Sequence, residues 1–150
     1  MLDGPTRSRL APVRTCTCFT LRKATRAVTQ LYDEFLRPVN LRSTQFSLLG
    51  LLAHMGTMRI TALADAAVMD RTTLTRNLDP LERDGLVRIR PGEDARVREV
   101  TLTPAGRDRL LAALPMWEKA QKELTEKLGA ARSHRFLADL TAAIAATHPG

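Results

Sequence analysis

Residues Asp70-Arg71-Thr72-Thr73-Leu74-Thr75-Arg76-Asn77-Leu78-Asp79-Pro80-Leu81-Glu82-Arg83-Asp84-Gly85 carry a helix with both of its ends marked. Asp70 has the short acceptor side chain of an N-cap, and Gly85 supplies the left-handed stop that favours glycine. At 100° per residue Leu74, Leu78 and Leu81 fall within about 60° of one another, so that side must face a core. The opposite side therefore shows Thr72, Arg76, Asp79 and Arg83, flanked by Thr73 and Thr75. Pro80 forfeits the bond to the Arg76 carbonyl, which predicts a kink near the helix end.

The neighbouring segments give this helix its context. Upstream, Thr61 is the expected N-cap of an Ala-rich helix ending near Val68, and a single turn separates it from Asp70. Two helices joined so closely suggest a helix-turn-helix. Downstream, Leu86 to Arg90 and Val97 to Leu102 are β-rich runs bracketing the loop Pro91-Gly92-Glu93-Asp94-Ala95, which predicts a hairpin. A helix-turn-helix followed by such a hairpin is a winged helix, placed at about residues 43–102. In that setting the exposed face of residues 71–83 acquires a chemistry. Hydroxyls at a helix N-terminus can approach phosphate, and an arginine one turn later can address guanine O6 and N7 bidentately. Arg71, Thr72, Thr73, Thr75 and Arg76 are the candidate DNA contacts on this helix. An isolated helix with this pattern would instead be a solvated surface with Arg76–Asp79 or Asp79–Arg83 pairs.

Outside the winged helix the pattern is helical. Leu21, Ala24, Val28, Leu31 and Phe35 recur at spacings of three and four between Cys16 and Arg37, with Pro38 just beyond. Ser43 or Thr44 is expected to cap a second helix, apolar nearly all round, ending near His54 with Gly56 as its stop; Met58 to Ile60 reads as extended. Thr103-Pro104 is an N-cap and N1 pair opening a long helix through Leu128, roughly 37 Å at about 1.5 Å per residue. Pro115 is expected to kink it. A last helix runs from Ser133 to Thr147. The helix from Pro104 is longer than one small domain can cover, so residues of about 16–37 and 104–147 are expected to pair with a second copy. Residues 1–15 show no apolar period and are expected to form a flexible arm. The fold class is thus mainly α with a small β-hairpin wing: one domain over residues 16–150, with helices for dimerisation at both ends.

Composition excludes several alternatives. The chain has 150 residues, 44% hydrophobic and 26% charged, with 4% aromatics, so its core must be built from Leu, Ala and Val. The longest uncharged stretch, Ser43 to Met58, is too short for a membrane span, and the N-terminus lacks an apolar signal region, which makes the cytoplasm the expected location. Three scattered histidines, no glycine-rich phosphate loop and no metal-spaced cluster leave no catalytic constellation, so no enzyme, cofactor or metal is expected. Cys16 and Cys18, two positions apart, read as small buried thiols in a reducing compartment; the alternative is a redox-sensing or metal-sensing pair. The net charge of +7 is distributed unevenly: residues 1–42 carry +5, residues 59–102 carry zero and residues 103–150 carry +2. A DNA-binding middle third must therefore act through individual arginines. Its neutrality is also the best argument for a rival, a winged-helix module that binds protein.

Beyond these local features, the run from Asp70 to Leu78, then Leu81-Glu82-Arg83-Asp84-Gly85-Leu86-Val87, then Asp94-Ala95-Arg96 and Val100-Thr101-Leu102-Thr103-Pro104-Ala105-Gly106, resembles the MarR family of bacterial transcription regulators. The likeness extends over roughly Cys16 to Ile144. Its most specific part is Asp-x-Arg followed by the Leu-Thr-Pro-Ala-Gly helix start. The family pattern usually has arginine where Ala95 stands, so Arg96 is the wing residue expected to enter the minor groove, oriented by Asp94. The resemblance implies a homodimeric repressor on a pseudo-palindromic operator in double-stranded DNA, released by a small aromatic-acid or phenolic effector. It also implies a pocket between the dimer helices and the winged domain, which brings Arg22, Arg26, Tyr32, Phe46 and Trp117 forward as candidate effector contacts. An arginine there would hold a carboxylate while the aromatics pack a ring.

Overall fold

The computed structural model describes residues 4–94 and 96–148. Its order is α1 (Gly4–Leu10), a 3-10 turn (Ala11–Thr15), α2 (Thr17–Leu36), a second 3-10 turn (Arg37–Val39), α3 (Ser43–Met55) and β1 (Met58–Arg59). Then follow α4 (Ile60–Ala66), α5 (Arg71–Arg83), β2 (Val87–Pro91), β3 (Arg98–Leu102), α6 (Pro104–Leu128) and α7 (Ala130–Thr147). Helices dominate, and the strands form one small antiparallel sheet in the order β1-β3-β2.

The core is aliphatic, as the shortage of aromatics requires. Leu48, Leu49 and Leu52 place α3 at the centre, where it packs against α2, α5, α6 and β3. Leu74, Leu78 and Leu81 of α5 are buried with them, together with Leu36, Leu63 and Val100. Phe46 of α3 and Trp117 of α6 stack with centroids 5.9 Å apart and planes inclined by 19°. Such a pair contributes roughly 0.5–1.5 kcal/mol beyond the area it buries.

The wing is joined to the helices at three places. Val87↔Leu102 through Pro91↔Arg98 sets the β2–β3 register, and Met58↔Val100 and Arg59↔Glu99 add β1 on the other side of β3. On the free edge, the Ile89 amide donates to Glu82 Oε1 of α5 at 3.0 Å, which occupies a donor that an edge strand would otherwise leave open. At the hairpin base Thr103 accepts from the Gly106 amide at 3.0 Å and its hydroxyl donates to the Gly85 carbonyl at 2.7 Å. Gly106 lies so close that a Cβ there would sit 2.0 Å from the Leu86 carbonyl oxygen.

Several local expectations are corrected. The segment expected to be a flexible arm is helical from Gly4 onward; Met1–Asp3 lie outside the described residues. Ser43 is the first residue of α3 rather than its cap, because its amide donates to Asp33 Oδ1 of α2 at 2.7 Å while the Arg42 amide donates to Gln45 Oε1. α4 starts at Ile60, before Thr61, since Met58–Arg59 leave the sheet straight into the helix. α7 starts at Ala130 rather than Ser133, directly after Gly129 at φ +82°. Pro80 and Pro115, the expected kink positions, lie inside α5 and α6, and both helices continue past them.

Candidate nucleic-acid interface

The start of α5 is built as its sequence suggests. Asp70 Oδ1 accepts the Thr73 amide at 2.8 Å and Oδ2 accepts the Thr73 hydroxyl at 2.6 Å. These bonds to the charged form hold the Asp70 carboxyl below its ordinary range. They also commit the Thr73 hydroxyl to the cap, and the Thr75 hydroxyl donates to the Arg71 carbonyl at 2.8 Å. Arg71, Thr72 and Arg76 remain exposed, with no ion pair to either arginine among the described residues. The Arg76–Asp79 and Asp79–Arg83 pairs of a merely solvated helix are not formed.

The wing turn is organised by Asp94. Its Oδ1 accepts the Arg96 amide at 2.9 Å, its carbonyl accepts the Val97 amide at 2.8 Å, and the Gly92 amide donates to the Val97 carbonyl at 2.8 Å. Asp94 thus holds the main chain of Arg96 and leaves its exposed guanidinium unpaired. Ala95 lies outside the described residues.

Between α5, the wing and the β1–α4 junction is an open cleft of about 510 Å³. Arg71, Thr75, Asp79 and Glu82 line it from α5, Arg96 and Arg98 from the wing, and Arg59 and Thr61 from the β1–α4 junction. Four arginines face two carboxylates here, one of which, Glu82, is bonded to the Ile89 amide. The formal neutrality of residues 59–102 is therefore misleading as a guide to the surface. Asp70, Glu82 and Asp94 spend their acceptors on main-chain amides, and no arginine of the segment closes an ion pair. Arg59 and Arg98 draw no functional role from their sequence positions, because only the β1–β3 pairing brings residue 59 beside the wing.

The five candidate effector residues are not gathered in one place. A cavity of about 370 Å³ lies between α2, α3 and the α4–α5 turn, and of the five only Tyr32 lines it. Phe46 and Trp117 stack on each other against the core, and Arg22 and Arg26 point to solvent. The physical reason is position on α2, whose Val28, Thr29 and Tyr32 face the cavity: Arg26 lies about 120° around the helix from Tyr32, and Arg22, although nearly in phase with Thr29, stands about 15 Å before Tyr32 along the axis. The remaining wall consists of hydroxyls from Ser43, Thr44 and Ser47 and apolar groups from Leu48, Leu51, Ala67 and Met69, with no cation. The Tyr32 hydroxyl hydrogen-bonds Gln121 Oε1 of α6, and partial burial pushes its pKa up.

Cys16 and Cys18 are both free thiols, but not buried ones. Cys16 is half-buried at the cap position of α2 and Cys18 is exposed in its first turn, since the two flank a helix start that nothing covers in a single chain. Among the described residues no three His, Cys, Asp or Glu side chains are placed to share a metal, and no helix is long and apolar enough to cross a membrane.

Known proteins agree with this architecture. The MarR family model matches residues 41–97. FarR of Neisseria gonorrhoeae, an HTH-type transcriptional regulator, is 30% identical over 127 residues, covering 84% of this chain and 80% of FarR. SarZ of Staphylococcus haemolyticus is 32% identical over 90 residues, so the match spans 59% of this chain and 61% of that regulator's length. Among solved structures, the M. tuberculosis transcriptional regulator MosR in complex with DNA is 42% identical, with a TM-score of 0.76 over 88% of this chain and 98% of MosR. The transcriptional repressor CouR bound to a 23-mer DNA duplex is 27% identical, with a TM-score of 0.77 over 89% of this chain and 95% of CouR.

Proposed function

Since this chain belongs to the MarR family of winged-helix transcriptional regulators, and not to a family of enzymes, we propose that it is a homodimeric repressor that binds a pseudo-palindromic DNA operator and is released by a small phenolic effector. The observation that carries the DNA-binding part is the exposed face of α5 continuing into the wing with its arginines unpaired. Arg76 addresses base edges in the major groove. Arg71 and Thr72 approach the backbone, with Thr73 and Thr75 shaping that turn, and Arg96 reads a narrow minor groove from the wing held by Asp94. The neighbours MosR and CouR were solved on DNA, which supports DNA binding by this fold. Gel-shift titration against the DNA flanking its own gene tests it: saturable binding of one duplex over a scrambled one is expected, and equal, weak binding to both overturns it.

The dimer is supported by apolar side chains left open along the terminal helices. Phe19 of α2, Leu111 and Leu114 of α6, and Leu137 and Ile144 of α7 are all exposed in the single chain. A second copy of the same helices is the partner that closed two-fold symmetry supplies.

The effector is assigned to the cavity beside Tyr32. Its volume is within the usual range for small-molecule sites, and a cation-free wall of hydroxyl and aliphatic groups suits a neutral phenol better than an aromatic carboxylate. Ala67 and Met69 bring the wall into the turn that orients α5, so a ligand seated there acts on the reading helix. It must bind the released conformation more tightly, because a ligand indifferent to both shifts nothing. A neutral phenol that dissociates the protein–duplex complex, with the effect weakened in Tyr32→Phe, is the expected result; release by benzoate alone would move the site to a cationic surface. A second reading, thiol sensing, is favoured by the accessibility of Cys16 and Cys18. Release by peroxide that is lost in Cys16→Ser supports that reading over the phenol.

A further inference from the structure

The geometry points to Arg59 and Arg98 as a clamp on one DNA backbone phosphate, seated in the cleft between α5 and the wing. This rests on the DNA-binding reading above and adds to it a contact separate from the base-reading helix face and the wing tip. Arg59 ends β1 and Arg98 begins β3; the Arg59↔Glu99 register makes the two arginines diagonal neighbours that leave opposite faces of the sheet at one end, and both line the cleft. Both are exposed, and neither meets a carboxylate within ion-pair distance among the described residues. Thr61, which also lines the cleft, has an exposed hydroxyl available to the same oxygen. The chemistry selects a phosphodiester. Arginine forks match phosphate oxygens bidentately, and the two sides of the cleft belong to the elements that would lie along and across a groove. Asp79 is the one cleft carboxylate without a main-chain bond, and it is carried on α5 rather than on the sheet.

A rigid sheet makes the clamp useful. Arg59 and Arg98 are carried on paired strands rather than on the wing loop, so they fix the height at which the duplex sits while Arg96 is free to follow the minor groove. Such a contact carries no base information, so its loss should lower affinity equally on every sequence and flatten the salt dependence.

The test uses the full-length protein and a duplex selected by it from a random-sequence pool, with affinity measured between 50 and 200 mM salt. With one clamped phosphate per protomer of the dimer, the Arg59→Ala/Arg98→Ala double variant is expected to flatten the slope of log affinity against log salt by about 1.8, shrinking the loss across that range about 12-fold, and Arg59→Ala and Arg98→Ala alone to flatten it by part of that. Preferences in a panel of single-base substitutions should stay unchanged. Arg59→Lys and Arg98→Lys retain the charge and should retain most of the slope. If Arg59→Ala lowers the thermal midpoint, Arg59→Gln, with similar reach and no charge, carries the same comparison. Unchanged slopes in alanine variants, on a duplex that the wild type binds with normal salt dependence, overturn the clamp and leave DNA binding intact. Failure of the wild type to select any duplex overturns the DNA-binding reading itself.

Discussion

At Gly106 a single hydrogen atom separates a tight joint from a clash. With 2.0 Å between an added methyl carbon and the Leu86 carbonyl oxygen, Gly106→Ala must push α6 off the base of the wing hairpin. A loss of roughly 1–3 kcal/mol is expected in urea denaturation, as for overpacked cores. Arg76→Ala should leave the midpoint unchanged, since the side chain packs on nothing, and should cost roughly 1–3 kcal/mol on the operator while relaxing preference at one base pair in each half-site. Equal loss on every sequence in a single-base panel would make it a phosphate contact instead. Asp70 gives a pH signature. Its folded pKa is depressed by the Thr73 hydroxyl and amide, so its contribution is present above the unfolded value and disappears as pH falls through the folded one. The stability difference between wild type and Asp70→Asn should therefore narrow as acid is added, and a constant difference from neutral pH downward would remove the cap from the account.

Among elements, the α4–α5 turn is under the most visible strain. The Met69 amide bonds the Ala64 carbonyl and the Val68 amide bonds the Asp65 carbonyl, the two bonds of a Schellman motif, with Val68 at φ +51° in the position that glycine usually fills. A β-branched residue is poorly suited to that region, and exposed Val68 recovers little by packing. Val68→Gly should raise the unfolding free energy by about 1 kcal/mol, and a drop would mean that Val68 is held by contacts outside a single chain. This turn also shows what sequence can and cannot reveal. Asp70, Gly85 and Thr103-Pro104 are legible because caps and stops act within four residues. Ser43 departs from its expected role because its amide partner, Asp33, is ten residues upstream on another helix. Met58 to Ile60 reads as extended, but its place as the third strand of the wing sheet, and with it the place of Arg59, escapes a sequence reading for the same reason, since it exists only through pairing with β3. Arg22 and Arg26 are grouped with Tyr32 by family likeness; helix phase separates Arg26 from it, and distance along α2 separates Arg22.

For the whole molecule the expected species is a dimer. Sedimentation at micromolar concentration should give twice the 16.6 kDa chain mass, and a folded species at the chain mass itself would refute it. Leu137→Glu places a charge on the open face of α7 and should shift the equilibrium toward monomer, with weaker duplex binding following from the lost second half-site. Within each protomer, one side chain joins the two tasks. Asp33 belongs to the helix assigned to dimerisation, yet it holds the Ser43 amide at the head of α3, and Arg42 meets its other oxygen at 3.4 Å. The winged unit thus hangs from α2 by a polar peg as well as by packing. A peg transmits torque: any twist of α2 reaches α3 at its first residue, and through the buried leucines of α3 it reaches α5. Loosening it with Asp33→Ala leaves every base contact in place and gives the two reading heads more play, so the protein should tolerate operators whose half-sites are one base pair too near or too far.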